Sequence, residues 1–259
     1  MKMDSIVNLK NKTLDLLKNS SIAKDLNYNK LIFYFLFGVK SSFEQFKVNI
    51  NTKCLVLSQY PGAEIKGLGG LIAQFPKNFE VLCLTNGSNA LPEFDPVESA
   101  SIKKQQFQEV MRTMRTKGYK IFDIDTNTLK NHYSTFKKID ISEVDYIFIP
   151  SVYDNNKDTL ALLEHFKKIL QEKEHKEDLK IIMFESDFSL CTYDCYVDIS
   201  HIIETKKRML NIYYPPDKFS GLIDKTIGLN AFRSIQTKCD FAEAFMKFNV
   251  DEFLNIPLI

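Results

Sequence analysis

The stretch from Lys53 to Gln74 (KCLVLSQYPGAEIKGLGGLIAQ) constrains the fold more than any other part of the chain. Cys54, Leu55, Val56 and Leu57 form an unbroken apolar run, the pattern of a strand covered on both faces, and Ser58, Gln59, Tyr60, Pro61 and Gly62 break it. A helix is expected from about Ile65 to Phe75. A doubly covered strand that runs straight into a helix is the opening unit of a parallel sheet flanked by helices. Such sheets bind ligands beyond the carboxyl ends of their strands, so Ser58 to Glu64 is the first place to look for a site. Reactive chemistry is sparse there: one phenol, Tyr60, and one carboxylate, Glu64.

The same alternation continues along the chain. Phe79–Thr85, Tyr119–Ile124, Val144–Pro150 and Leu179–Phe184 read as further strands. Between them, Ser99–Lys117 reads as a helix with Phe107, Val110, Met111 and Met114 on one face and Gly118 as its stop, and Asp158–Leu170 as another with Leu163 and Phe166 inward. Helical crossovers of this length imply a mostly parallel sheet. From Ile199 the pattern turns helical, through to the apolar segment FAEAFMKF. At the other end, Ile6, Leu9, Leu14, Leu16 and Leu17 suit a short amphipathic helix, and Leu31–Val39 (LIFYFLFGV) is an apolar run suited to burial or to a partner surface. Residues 1–50 are therefore expected to form an N-terminal helical extension and residues 51–259 a single α/β domain.

A chain of 259 residues buries a full core without metal or disulfide staples. With 34 basic against 33 acidic residues, the net charge of +1 gives no electrostatic argument for a nucleic-acid partner. The run Leu31–Val39 is well short of the roughly 20 residues that span a bilayer, and it follows a polar leader unlike that of a signal peptide. Five cysteines, Cys54, Cys83, Cys191, Cys195 and Cys239, suggest free thiols in a reducing compartment, so a soluble, cytoplasmic protein is expected. Oligomeric state is left open.

Polar residues gather at the expected strand ends: Ser58 to Glu64; Thr85, Asn86 and Ser88; Ser151 to Thr159; and Glu185, Ser186 and Asp187. Adjacent strands would bring these clusters to one crevice. A dinucleotide site needs glycines at the strand's end, but Gly67, Gly69 and Gly70 come later, inside the helix. No G-x-x-x-x-G-K-[ST] motif is present. Of the histidines, His165, His175 and His201 fall away from the strand ends, and only His132 follows one. Metal-ligand spacing is absent from the cysteines too.

Taken in order, several short motifs resemble the LmbE/PIG-L family of zinc-dependent de-N-acetylases. Ser58-Gln59-Tyr60-Pro61-Gly62-Ala63-Glu64, followed by Gly67-Leu68-Gly69-Gly70, stands where the family has A-H-P-D-D-E and a G-x-G-G helix. Leu84-Thr85-Asn86-Gly87 is similar to its L-T-x-G. Glu109, Gly118, Asp125, Pro150 and the segment Asp154-Asn155-Asn156-Lys157-Asp158-Thr159 also have counterparts, the last in D-x-H-x-D-H. In the carboxyl-terminal part, Val197-Asp198-Ile199-Ser200, Lys206, Gly228-Leu229-Asn230, Arg233 and Ala242-Glu243-Ala244-Phe245 extend the resemblance to about residue 248. The fold it implies is an α/β, Rossmann-like three-layer sandwich with a mostly parallel sheet.

The departures matter more. The resemblance places the family's zinc ligands at Tyr60, Ala63 and Thr159, its general base at Gly62 and its transition-state histidine at Asn156. None of these residues does that work, so zinc is expected to be absent. The crevice is expected to comprise Tyr60, Pro61, Gly62, Glu64, Asn86, Asp125, Asp154 and Asn156. The leading expectation is a pseudoenzyme or a sugar- or glycoconjugate-binding protein, set by the resemblance in glycan or surface-polysaccharide metabolism. Two alternatives stay open: an altered, non-zinc hydrolase using Tyr60, Glu64 and Asp158, and an interaction module using Leu31–Val39. The plainer reading of Glu64 is a helix-start cap, and of Asp154 and Asp158 local turn and capping bonds.

Overall fold

The computed structural model describes residues 43–258. The expected amino-terminal helix and the apolar run Leu31–Val39 lie outside them. The described chain builds one eight-stranded sheet in the order β1-β7-β8-β6-β5-β2-β3-β4. Its strands are β1 (Glu44–Gln45), β2 (Cys54–Ser58), β3 (Phe79–Cys83), β4 (Gly118–Ile121), β5 (Tyr146–Pro150), β6 (Lys180–Phe184), β7 (Cys195–Asp198) and β8 (Ala242–Asn249). Only β8 runs antiparallel, between β6 and β7.

Alternation along the strands sorts their side chains into two cores, one on each face of the sheet. Cys54, Val56, Phe79, Val81, Phe148, Ile182 and Phe245 point to one side; Leu55, Leu57, Leu82, Ile147, Ile181 and Met246 point to the other. On the first side lie α1 (Ala63–Gln74), α2 (Pro96–Met114), α5 (Ile203–Tyr213) and α6 (Leu222–Ser234). The other side is covered by α3 (Tyr133–Phe136), α4 (Lys157–Glu172) and α7 (Val250–Leu254). This is the expected three-layer arrangement.

Two expectations need correction. The apolar segment FAEAFMKF does not end a helix; Ala242–Asn249 is a central strand, buried on both faces and therefore without the alternation that would have marked it. Gly118 opens β4 rather than stopping α2, which ends at Arg115 in the left-handed region (φ 58°). Asp95 starts α2 by accepting from the Val97 and Glu98 amides, with Pro96 at its first position.

One buried ion pair ties α1 to the rest. Lys206 on α5 and Glu243 on β8 are both fully buried, Nζ to Oε1 2.7 Å. They also enter the hydrogen-bond ladder of α1. Lys206 Nζ donates to the Lys66 carbonyl (2.7 Å), the acceptor that Gly70 N–H would take in a regular helix, while Gly70 and Leu71 N–H donate to Glu243 (2.7 and 2.9 Å). A Cβ on Gly70 would collide with Ile199, so glycine is needed for this approach.

The charges are uncompensated if either partner is lost. Lys206→Met or Glu243→Gln should each lower unfolding stability by about 3–5 kcal/mol, and a double replacement by apolar residues should cost less than the sum of the two. Urea titration of the three variants checks this; additive losses would show that the pair is not coupled.

Candidate functional site

The chain builds outward from β2 in both directions: β3 and β4 on one side, β5 and β6 on the other. The reversal falls between β2 and β5, and their carboxyl ends mark the candidate crevice, the place where ligands of such sheets bind. Its walls are the segment after β2 (Gln59 to Gly62), the Asn86 turn, the segment Ser151 to Asn156, and Ser186 and Asp187 after β6. The adjacency of β3, β2, β5 and β6 thus brings the predicted clusters together.

Two hydrogen-bonded groups fill the floor. In the first, Gln59 Nε2 donates to Asp154 Oδ2 and to Ser186 Oγ (both 3.2 Å), the Ser186 hydroxyl donates to Asp154, and Asp154 Oδ1 accepts from Asn156 N–H (3.0 Å). Asn156 then caps α4 through the Asp158 amide (2.8 Å). In the second, Lys66 Nζ donates to Asp187 Oδ1 (2.6 Å) and to the Tyr60 hydroxyl (3.2 Å). That ammonium lies 5.3 Å from the Tyr60 ring centroid and 4.9 Å from that of Tyr214. Burial, followed by Tyr214 and the acids Asp187 and Asp154, holds the Tyr60 phenol well above its usual range.

The remaining predicted residues have definite places. Glu64 is fully buried: Oε1 accepts from Tyr213 (2.7 Å) and Oε2 from Gly62 N–H (3.0 Å), with Ser58 Oγ 3.1 Å away. Burial raises its carboxyl above the usual range against those three hydrogen bonds. Asp158 accepts from the Asn127 and Leu129 amides (2.7 and 3.2 Å), pinning the segment after β4 to α4, and burial raises it too. Asn86 reaches Asp125 at the rim (2.9 Å). His132 precedes α3, and His165 is buried with Nε2 at the Leu129 carbonyl (3.1 Å).

Gly62 carries the sharpest local constraint. Its φ of 107° favours glycine, and a Cβ there would overlap the Tyr214 hydroxyl. Tyr214 therefore occupies the space that a side chain at position 62 would need. Behind its ring, the buried Lys103 donates to the Tyr213 carbonyl (3.0 Å), and its ammonium lies 5.4 Å from the Tyr214 centroid.

Sequence reasoning missed Lys66, Lys103, Tyr213 and Tyr214. Lys66 had a signal, as the lone basic residue in a helix whose other charged residue is Glu64 (AEIKGLGGLIAQ). The tyrosines had a weaker one, an aromatic pair closing α5 before Pro215 and Pro216. The motif residues of the carboxyl-terminal part are structural: Lys206 and Glu243 pair, Asn230 donates to the Ala242 carbonyl (3.0 Å), and Arg233 grips Glu185 in a second buried ion pair.

No protein-family model and no curated protein sequence matches this chain. Solved structures do. The N,N'-diacetylchitobiose deacetylase from Pyrococcus horikoshii, complexed with its inhibitor MPG, superposes with a TM-score of 0.66 at 16% identity, over 87% of this chain and 93% of that one. The fold is that of the LmbE-like deacetylases. The conserved protein TT1542 from Thermus thermophilus is also similar, with a TM-score of 0.62 at 13% identity over 75% of this chain and 94% of that one.

The motif resemblance implies zinc, and the donor set does not fit it. At the three positions where the resemblance puts ligands stand a phenol bonded to an ammonium (Tyr60), a methyl group (Ala63) and a buried alcohol (Thr159) whose oxygen has no hydrogen-bond partner. Among the described residues, no group of three or more His, Cys, Asp or Glu is placed to hold a metal ion.

Gly62→Ala should destabilise the protein by about 1–3 kcal/mol, and the loss should shrink in a Tyr214→Ala background, leaving the part due to φ alone. A double-mutant cycle by thermal or urea unfolding measures that coupling. Lys103 supplies a second expectation, because burial lowers its ammonium to about 8. Below that pH the proton is kept in both folded and unfolded states; between about 8 and about 10.4 the folded state loses it first, so this group's contribution to stability rises with pH. The stability of Lys103→Met relative to the wild type should therefore fall by about 3 kcal/mol across that interval, and a pH-independent difference would contradict the assignment.

Proposed function

We propose that this protein binds a sugar or glycoconjugate in the crevice without hydrolysing it, as a non-catalytic counterpart of the deacetylases whose fold it shares. The observation that carries this reading is the Lys66 ammonium bonded to Tyr60, at the position where the resemblance puts a zinc ligand. Metal activation lowers the pKa of water from about 15.7 to about 7, and general-base assistance adds roughly 10² to 10⁴ in rate. Tyr60, Gly62, Ala63 and Thr159 supply neither. Glu64 and Asp158, candidates for an altered mechanism, spend their oxygens on internal donors. Recognition groups remain in Asp125 and Asp187, both exposed, with the half-buried ring of Tyr60 beside the Lys66 ammonium.

The named substrate of the Pyrococcus horikoshii neighbour, an N-acetylated disaccharide, supports a carbohydrate as ligand. The buried thiols Cys54, Cys83 and Cys195 suit a reducing compartment, consistent with a cytoplasmic role in glycan or surface-polysaccharide metabolism. Among the described residues, no helix is long and apolar enough to cross a membrane.

After metal stripping and zinc addition, the protein should retain far less than one zinc per chain and release no acetate from N,N'-diacetylchitobiose. Elemental analysis and an acetate assay test both points together. One zinc per chain with steady acetate release would overturn the reading.

A further inference from the structure

The mismatch between this crevice and zinc is not simply a loss. From position 63 to 72 of α1, every residue but Lys66 is buried. Lys66 is thus the one residue of this stretch that is not fully buried. Its backbone is fixed from behind, because its carbonyl accepts from the buried Lys206. Its side chain, 9% exposed, ends at Tyr60 and at an aspartate, Asp187, that is 39% exposed.

An ammonium has three N–H donors. Asp187 and Tyr60 take two of them, and no further partner of Nζ is found among the described residues. The charges facing the cation decide what the third can meet. Asp187 is bonded to it, Asp154 lies on the floor beside Ser186, and Asp125 stands at the rim, while the ammonium of Lys103 is behind the Tyr214 ring. Carboxylates outnumber ammonium groups around the opening, so an anionic ligand meets like charge. A neutral oxygen can accept the third N–H and leave the Lys66–Asp187 pair intact.

Resting on the carbohydrate reading above, we infer that Lys66 is the resident cation of the crevice, donating to the carbonyl oxygen of a neutral N-acyl sugar in place of a metal ion. Asp187 and Asp125, the two exposed acids, accept from the sugar's hydroxyls. An ammonium strengthens the hold on a carbonyl through a charge-assisted hydrogen bond, but it carries no water to ionise. Binding of the acyl group and its hydrolysis are thereby uncoupled.

Calorimetric titration of the full chain with N-acetylglucosamine, glucose and glucuronate tests this, using wild type, Lys66→Met and Lys66→Gln, with thermal melting to confirm that each variant folds. N-acetylglucosamine should bind wild type more tightly than glucose, and glucuronate should bind least. Lys66→Met should weaken N-acetylglucosamine binding about ten- to hundredfold and leave glucose nearly unchanged, with Lys66→Gln between. Equal affinity of wild type and folded Lys66→Met for N-acetylglucosamine would overturn the role of Lys66 and leave the carbohydrate reading standing. Preference for glucuronate would overturn the choice of a neutral ligand. Absence of binding by any of the three sugars to wild type would overturn both.

Discussion

The Lys206–Glu243 pair is the interaction on which the rest of the structure depends. It is an expensive device, since two charges are removed from water, and the cost is offset by the hydrogen bonds that surround both groups. Here those bonds come from the backbone of α1: one carbonyl and two amides meet the pair. A hydrophobic contact could hold the helix against the sheet, but it could not fix the helix's rotation. Charge-assisted bonds to named backbone groups do fix it.

Rotation matters because the amino-terminal half of α1 carries the crevice. Glu64 turns inward to Tyr213 and Ser58, Gly62 lies under Tyr214, and Lys66 points out between two phenols. A different rotation would bury Lys66 without its aspartate and expose Glu64. The same pair explains why three separate stretches of sequence are linked: α1, α5 and β8 supply one residue set, far apart in the chain and adjacent in space.

Much of the architecture was legible. Doubly buried strands such as Cys54–Ser58 announce themselves as short apolar runs, and the helices between them show their inward stripes. Ala242–Asn249 was not legible, because a strand buried on both faces and bearing a glutamate has the composition of a buried helix. The site divides in the same way. Residues fixed by a local turn or a strand end, such as Asn86 and Asp154, could be placed from sequence, whereas Tyr214 and Lys103 come to lie behind the site through tertiary packing that no spacing encodes. Nor did the motif positions reveal the Tyr60 partner, a lysine one helical turn beyond Gly62.

The fit between Gly62 and Tyr214 also bears on how such a crevice can change over generations. An aspartate at 62 has no room while Tyr214 is present. Removing Tyr214 first leaves a void against Phe219 and takes one of two aromatic neighbours from each of Lys66 and Lys103. Either order of substitution passes through a less stable protein, so the interlock works as a ratchet: drift readily preserves the Gly62–Tyr214 pair, and a larger residue at 62 requires coordinated changes.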